Sequence, residues 1–271
     1  MASRTAERSR GWRTPFAASL AGLLVLPAGC IDSSERSGVA NSSPAADNTS
    51  LETTATPTHS LTRPDVPQSS RGSRPSTTVR LSFGGDVMFE EQLRELLDRP
   101  KTGLAPIKAA TADADFTMVN LESAVTTGGT RDPKHLEDAD NRYHFRTSPV
   151  ALTALRAAGV DAVSVANNHG VDFGADGLAD TLRVKSRSPL PVLGVGRNRA
   201  EAFTPHRVTL KGQPFAFFAA DASFLESTEP YWEAGARSPG LAAARGAGRS
   251  ALLAAVNQEA AAGAAAVVYL H

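Results

Sequence analysis

The chain has 271 residues, with 28 basic and 28 acidic side chains, six His and one Cys. Hydrophobic residues make up 41% and charged residues 21%, a balance typical of globular proteins that excludes a wholly disordered chain. The single Cys excludes a disulfide framework and a Cys-rich zinc module. The zero net charge argues against a nucleic-acid-binding protein, which normally needs a basic face.

The N-terminal segment has the parts of a bacterial export signal. Four arginines precede an uncharged apolar run at 15–26, and the residues Pro-Ala-Gly follow, ending at Cys30. The run is shorter than the roughly 20 apolar residues that span a bilayer. We therefore expect residues 1–30 to be a lipoprotein signal peptide with Cys30 as the lipidated residue. An ordinary cleavable signal with a chance Cys is the alternative.

A segment of different composition follows at 31–78. It contains no aromatic residue and is dense in Ser, Thr, Pro, Asn and Ala. Such a composition buries too little apolar surface to offset the entropy of ordering the chain. We therefore expect a disordered linker between an anchor and a working domain.

From residue 79 onward, strand and helix patterns alternate. Apolar alternation or short apolar runs predict strands at 79–83, 116–119, 162–165, 192–193, 207–210, 215–220 and 265–271. Residues 211–214 are expected to form a hairpin turn. Composition and apolar residues at helical spacing predict helices at 89–98, 149–158, 174–185 and 241–262. This order predicts an α/β domain with a largely parallel sheet.

Metal-ligating residue types lie at the ends of four of these strands. Asp86 and Glu122 come at the ends of the first two, Asn168 and His169 at the end of the third, and His271 ends the last. In α/β sheets the ligand crevice lies at the carboxyl ends of the strands. Carboxylate, amide and imidazole groups suit divalent metal ions. These residues therefore form a candidate metal site, although each one alone also fits a turn, a cap or a cut end.

Other positions have weaker patterns. His135 lies in a polar loop at 126–142 and His144 just after it; both are within reach of the crevice, with surface positions as the alternative. Asp221 follows the strand at 215–220. The turn at 194–198 lacks the spacing of a dinucleotide or Walker motif, which favours a simple loop.

Four motifs resemble those of the CapA family of bacterial capsule (poly-γ-glutamate) synthesis proteins: LSFGGDVMF, VNLESAV, VANNHGVDFGADGLADT and VVYLH. That family is similar to calcineurin-like metallophosphatases and 5′-nucleotidases, whose four-layer α/β/β/α sandwich holds two divalent metals. The resemblance implies a metallophosphatase-like α/β/β/α sandwich over 79–271. We expect it to be incomplete at the C-terminus, because the chain stops in the fourth motif.

The resemblance also implies roles for individual residues. Its metal ligands are Asp86, Glu122 in the place of a bridging carboxylate, Asn168 and His271. His169 takes the place of the residue that protonates a leaving oxygen or contacts the phosphoryl group. We expect Asp172 to hold His169 by a hydrogen bond. Met88 stands where the phosphatases have a His, so one imidazole ligand is absent.

These features together predict a secreted protein attached to the membrane by a lipid anchor and involved in capsule or poly-γ-glutamate production. The expected cofactor is Mn, Fe, Zn or Mg, and the expected partner is an anionic polymer or a phosphoester, not nucleic acid. As an enzyme, it would cleave a phosphoester with help from the metal and from His169. The alternatives are a non-catalytic module that binds an anionic polymer and a 5′-nucleotidase-like phosphohydrolase.

Overall fold

The computed structural model describes the backbone of residues 22–26 and residues 78–223 and 228–271 in full. The predicted lipidation site Cys30 and nearly all of the predicted linker lie outside the described residues. Gly22–Leu26, within the apolar run of the predicted signal, forms a strand. No helix in the described part of the chain is long and apolar enough to cross a membrane.

The strands are β1 Gly22–Leu26, β2 Leu81–Val87, β3 Phe116–Leu121, β4 Ala124–Val125, β5 Arg146–Thr147, β6 Ala162–Ser164, β7 Val192–Leu193, β8 Val195–Gly196, β9 His206–Leu210, β10 Gln213–Ala220, β11 Gly240–Leu241 and β12 Ala265–Leu270. The α-helices are α1 Lys108–Thr111, α2 Val150–Ala157, α3 Gly174–Lys185, α4 Arg199–Ala202 and α5 Gly246–Ala261. Short 3₁₀ helices lie at Glu91–Asp98, Ala105–Ile107, Ala139–Asn141 and Pro230–Trp232.

Two four-stranded sheets form the centre of the domain. The first has the order β2-β3-β6-β7 with all neighbours parallel. The second has the order β1-β12-β10-β9, in which β10 and β12 are parallel and the two outer pairs are antiparallel. All six residues of β3 are buried, as expected of a strand covered on both faces of a parallel sheet.

The two sheets pack face to face, and helices cover their outer faces. Aromatic side chains fill the space between the sheets, where the rings of Phe116 and Phe217 stack with their centroids 4.0 Å apart. On the first sheet, Leu155 of α2 and Leu178 of α3 join the outer core. On the second, α4 and α5 contribute to a separate apolar cluster. These layers confirm the predicted α/β fold with an α/β/β/α arrangement.

Three local predictions need correction. Strand β2 continues through two glycines to Val87, so Asp86 lies inside the strand and not in a turn after it. A register irregularity between Phe83 and Asp86 accommodates this extension. The helix predicted to begin at residue 241 begins at Gly246, because Gly240–Leu241 pairs with β8 instead. The helix expected at 89–98 is 3₁₀ over Glu91–Asp98.

The hairpin between β9 and β10 is tighter than expected. Its turn consists of Lys211 and Gly212 alone, with φ of 47° and 82°, while Gln213 already belongs to β10. Positive φ at both central residues is the geometry of a type I′ turn, whose twist matches that of the flanking strands. The hairpin therefore places β9 at the edge of the second sheet.

Candidate metal centre and the His169–Asp172 pair

The predicted ligands meet where strands from both sheets end. Asp86 lies near the end of β2, Glu122 directly follows β3, and Asn168 lies in the loop after β6. His271 directly follows β12 of the second sheet. Ligand atoms of Asp86, Glu122 and His271 all lie within 4.8 Å of one another. The docking of the two sheets thus assembles a cluster from residues far apart in sequence.

The imidazole of His271 is the centre of this cluster. Its Nε2 lies 2.9 Å from Oδ1 of Asn168 and 3.6 Å from Oε1 of Glu122. Its Nδ1 lies 3.5 Å from Oδ1 of Asp86. The structure therefore brings together all four residues that the sequence singled out as metal ligands.

The electrostatics of the cluster favour a cation. Burial, together with the nearby charge of Asp86, raises the pKa of Glu122 from 4.5 to about 7. The hydrogen bond with His271 lowers the pKa of Asp86. Burial lowers the pKa of His271, but its contact with Asp86 and the charge of Glu122 outweigh burial and raise it overall. A divalent ion among these groups would satisfy both carboxylates at once.

The donor set fits a divalent metal ion. Two carboxylates, one amide oxygen and one imidazole form a mixed oxygen and nitrogen site of the kind that Mn, Fe and Zn accept. All four side chains present their donor atoms to the same small region. The chemistry of the residues is thus consistent with the predicted cofactor class, and it does not identify the metal.

Two asparagines that the sequence analysis did not select support the ligands. Nδ2 of Asn120 donates to Oδ1 of Asp86 at 2.9 Å and lies 3.1 Å from Nδ1 of His271. Asn167 in turn donates to Oδ1 of Asn120 at 2.9 Å. Asn120 is 0% exposed within the otherwise apolar end of β3. The sequence did contain a signal for Asn120, namely a single amide within an apolar strand pattern. A buried amide needs hydrogen-bond partners, so such a residue indicates a polar site nearby.

His169 and Asp172 form a buried pair beside the cluster. Nδ1 of His169 lies 2.6 Å from Oδ2 of Asp172, which is the hydrogen bond expected from the sequence. Nε2 of His169 lies 3.9 Å from Oε1 of Glu122. Burial lowers the pKa of His169 despite the favourable contact with Asp172. Because Nδ1 is directed at Asp172, Nε2 is the nitrogen available to the cluster.

Lys134 of the polar loop and Phe145, just after the loop, also contact this pair, and neither was predicted. The ring of Phe145 stacks on that of His169 with centroids 4.1 Å apart, and its backbone N–H donates to Asp172. Nζ of Lys134 lies 2.9 Å from Oδ1 of Asp172. A polar loop has no periodicity, so the sequence offered no sign that its lysine is buried.

The weaker candidates lie elsewhere or are already engaged. His135 is exposed, and Nε2 of His144 lies 2.6 Å from the carbonyl oxygen of Asp132. Asp221 is fully buried, and its Oδ2 accepts from Arg245 at 2.9 Å and from Thr228 at 3.2 Å. The carboxylate of Asp221 therefore neutralises an arginine and is not directed into the cluster. The glycine turn at 194 connects β7 to β8, as a simple loop does.

Comparison with known proteins gives a consistent result. A family model described as "Bacterial capsule synthesis protein PGA_cap" matches residues 80–271. The chain is 26% identical over 127 residues to the capsule biosynthesis protein CapA of Bacillus anthracis, covering 46% of this chain and 30% of that protein. It is 26% identical over 126 residues to the PGA biosynthesis protein CapA of Bacillus subtilis (strain 168), covering 45% and 31%.

A third relative comes from another bacterial group. The chain is 27% identical over 128 residues to a probable polyglutamine synthesis accessory protein of Mycobacterium tuberculosis (strain CDC 1551 / Oshkosh), covering 47% of this chain and 32% of that protein. The matched region thus spans about a third of the length of each of these relatives.

Proposed function

The chain belongs to the bacterial capsule synthesis protein (PGA_cap) family, and on that premise we propose that it serves the production of a capsular or poly-γ-glutamate polymer through a divalent-metal site. The names of two relatives, which refer to capsule and PGA biosynthesis, support the polymer class. The observation that carries the metal site is the convergence of Asp86, Glu122 and His271 from the two sheets.

The proposed chemistry is the cleavage or handling of a phosphoester. Asp86, Glu122, Asn168 and His271 would hold the metal, which would supply positive charge to stabilise oxygens that become more negative during the reaction. His169 is buried beside Glu122, and its hydrogen bond with Asp172 through Nδ1 leaves Nε2 facing the cluster. As an imidazolium stabilised by Asp172, His169 would deliver the proton on that atom to a leaving oxygen and become a neutral imidazole.

A second candidate is a module that binds an anionic polymer without cleaving it. Met88 occupies the position of a phosphatase histidine. Among the described residues, one group of three or more His, Asp or Glu side chains is close enough to hold a metal ion. A site that holds one cation would favour attraction of an anion over a two-metal hydrolysis.

We further propose that the protein is exported and held at the membrane by a lipid on Cys30. The sequence supports this proposal through the basic residues, the apolar run and the small residues before Cys30. A membrane-held position would place the domain where an extracellular polymer is made and attached.

The decisive experiment combines metal content and turnover in the 271-residue chain. We expect the purified protein to bind Mn²⁺ or Zn²⁺ in calorimetric titration and to hydrolyse p-nitrophenyl phosphate or a diester analogue in the presence of that metal. Asp86→Asn should abolish both, while Asp176→Asn, on the exposed first turn of α3, should alter neither. Metal binding without turnover would favour the binding module, and no metal binding would overturn the site.

A further inference from the structure

Strand β2, which carries Asp86, has few backbone attachments. It lies at one end of the first sheet, so β3 is its single neighbouring strand among those that the structure describes. The pairing is interrupted between Phe83 and Asp86, where Gly84 and Gly85 lie opposite Val119 alone. Such a bulge leaves part of the ladder unpaired and bends the strand. The ladder with β3 therefore does not fix the position of Asp86 by itself.

Tyr269 of β12 supplies a second attachment for β2. Its hydroxyl donates to the carbonyl oxygen of Gly84 at 2.6 Å, across the interface between the two sheets. The side chain is buried, and its ring lies against that of Phe83 with the centroids 6.3 Å apart. A hydrogen bond in such an interior is stronger than one in water. The bulge of β2 is thus tied to a strand of the other sheet.

The two ends of this hydrogen bond are equally far along the chain from two candidate metal ligands. Gly84 precedes Asp86 by two residues, and Tyr269 precedes His271 by two residues. Each ligand is therefore at most about 7 Å along its chain from the contact. Oδ1 of Asp86 and Nδ1 of His271 lie 3.5 Å apart. One side chain thus links the two strands just before the residues that meet in the cluster.

We propose that Tyr269 is a positioning residue of the candidate metal centre: its hydroxyl holds the bulge of β2 against β12, and this contact sets the place of Asp86 relative to His271. The inference rests on the metal site of the proposed function and adds a residue that holds the backbone of a ligand. Small displacements matter at such a site, because metal–ligand distances are set to within about 0.2 Å.

Hydrogen exchange tests the hold on β2 without metal. Tyr269→Phe removes the hydroxyl but keeps the ring that packs against Phe83. In the 271-residue chain freed of metal by a chelator, the backbone amides of β2 should exchange roughly three- to tenfold faster in this variant, as expected from the loss of one buried hydrogen bond. The amides of β10 serve as the internal reference and should keep their rates. Unchanged exchange in β2 would overturn the proposal.

Co²⁺ binding tests the consequence for the metal centre, because the visible absorption of this ion depends on the arrangement of its ligands. Tyr269→Phe should weaken Co²⁺ binding by about 10–100-fold, as the loss of a group that orients ligands does. The spectrum of the saturated variant should also differ from that of the parent. A hydroxyl with a merely structural role would leave that spectrum unchanged. Parent-like affinity and spectrum would therefore overturn the proposal.

Tyr231→Phe provides the matched control. The hydroxyl of Tyr231 also donates a hydrogen bond, to Oδ1 of Asp132 at 2.8 Å, but it belongs to the 3₁₀ helix at Pro230–Trp232 and not to β2 or β12. Its loss should change neither the exchange of β2 nor the binding of Co²⁺, and equal effects of the two substitutions would overturn a specific role for Tyr269.

The parent chain separates the two proposals. A parent that binds no Co²⁺ would overturn the proposed metal site together with the role of Tyr269. A parent that binds Co²⁺ with the same affinity and spectrum as Tyr269→Phe would overturn the role of Tyr269 alone.

Discussion

Nε2 of His271 lies 2.9 Å from Oδ1 of Asn168, although the two residues follow strands of different sheets. Asn168 follows β6 of the parallel sheet, and His271 follows β12 of the mixed sheet. Their contact closes the candidate metal centre across the interface between the sheets. The site therefore depends on the aromatic packing between the sheets as much as on its own side chains.

The first prediction concerns the pH dependence of stability in the metal-free protein. The pKa of Glu122 rises from 4.5 to about 7 on folding, so folding takes up a proton within this interval. The contribution of Glu122 to the free energy of unfolding should consequently fall as pH rises from about 5 to 7, by on the order of 1 kcal/mol per pH unit. Urea unfolding at several pH values, with a chelator present, measures this slope.

The neighbours of Glu122 contribute in both directions. Burial lowers the pKa of His169, so its contribution is lost as pH falls below its ordinary value of 6.5 and opposes that of Glu122. His271 has a raised pKa, so its contribution is also lost as pH rises, above its ordinary value of 6.5. Asp86 has a lowered pKa, and its contribution is lost only when pH falls below 3.8. Glu122→Gln should remove this fall, so its stability should decrease less, or increase more, with rising pH than that of the parent, while Glu95→Gln on the exposed 3₁₀ helix should keep the parent's pH dependence. The same pH dependence between pH 5 and 7 in the parent and in Glu122→Gln would contradict this prediction.

The second prediction separates catalysis from metal binding at His169. His169→Ala should lower the turnover of a phosphoester by about 10²–10⁴-fold, because the proton donor is lost. Metal content should stay close to that of the parent, since Asp86, Glu122 and Asn168 remain. Metal analysis and steady-state kinetics on the same preparation decide between the two roles.

His135→Ala serves as the control for that experiment, because His135 lies exposed on the polar loop. It should change neither metal content nor turnover. A joint loss of metal and activity in His169→Ala would show that His169 is itself a ligand.

The third prediction concerns Asn120. Asn120→Leu should weaken metal binding by about 10–100-fold, because Asp86 and His271 lose the amide that orients them. It should also lower the free energy of unfolding by about 1–3 kcal/mol, since the amide of Asn167 loses one acceptor in a buried site. Calorimetric titration and urea unfolding provide the two readouts.

Thr117→Val in the same strand is the matched control. Thr117 is buried, and its Oγ1 has no hydrogen-bond partner among the described residues. Its replacement by a residue of the same shape should therefore be neutral or slightly stabilising, and metal affinity should not change. Equal effects of the two substitutions would argue against a specific role for Asn120.

The fourth prediction concerns the expected anchor. Cys30→Ala should move the exported protein from the membrane fraction to the soluble fraction, because the lipid can no longer be attached. Ser33→Ala should fractionate like the parent. Fractionation of cells that express each form is the measurement, and a Cys30→Ala protein that stays with the membrane would contradict a lipid anchor at this residue.

Local patterns in the sequence were sufficient to predict the order of the elements and most of the candidate ligands. The apolar residues of α2 and the glycine at the start of α3 are visible as short-range periodicity and capping, and both helices lie within a residue or two of their predicted bounds. Asp86, Glu122, Asn168 and His169 were selected because each accompanies the end of a strand pattern. In a parallel sheet those ends converge at one edge, so local patterns here indicate a distant contact.

The burial of Lys134 and the neutralisation of Asp221 by Arg245 were decided by the tertiary structure alone. Lys134 belongs to a polar loop whose composition predicts exposure, and it is buried only because Asp172, Glu137 and Trp232 surround it. Likewise, Gly240–Leu241 forms a strand and not a helix, because β8 supplies the hydrogen-bond partners. Periodicity reports which face of a single element avoids water. It carries no information about which buried charge a distant loop will neutralise, because that choice depends on the packing of the whole domain.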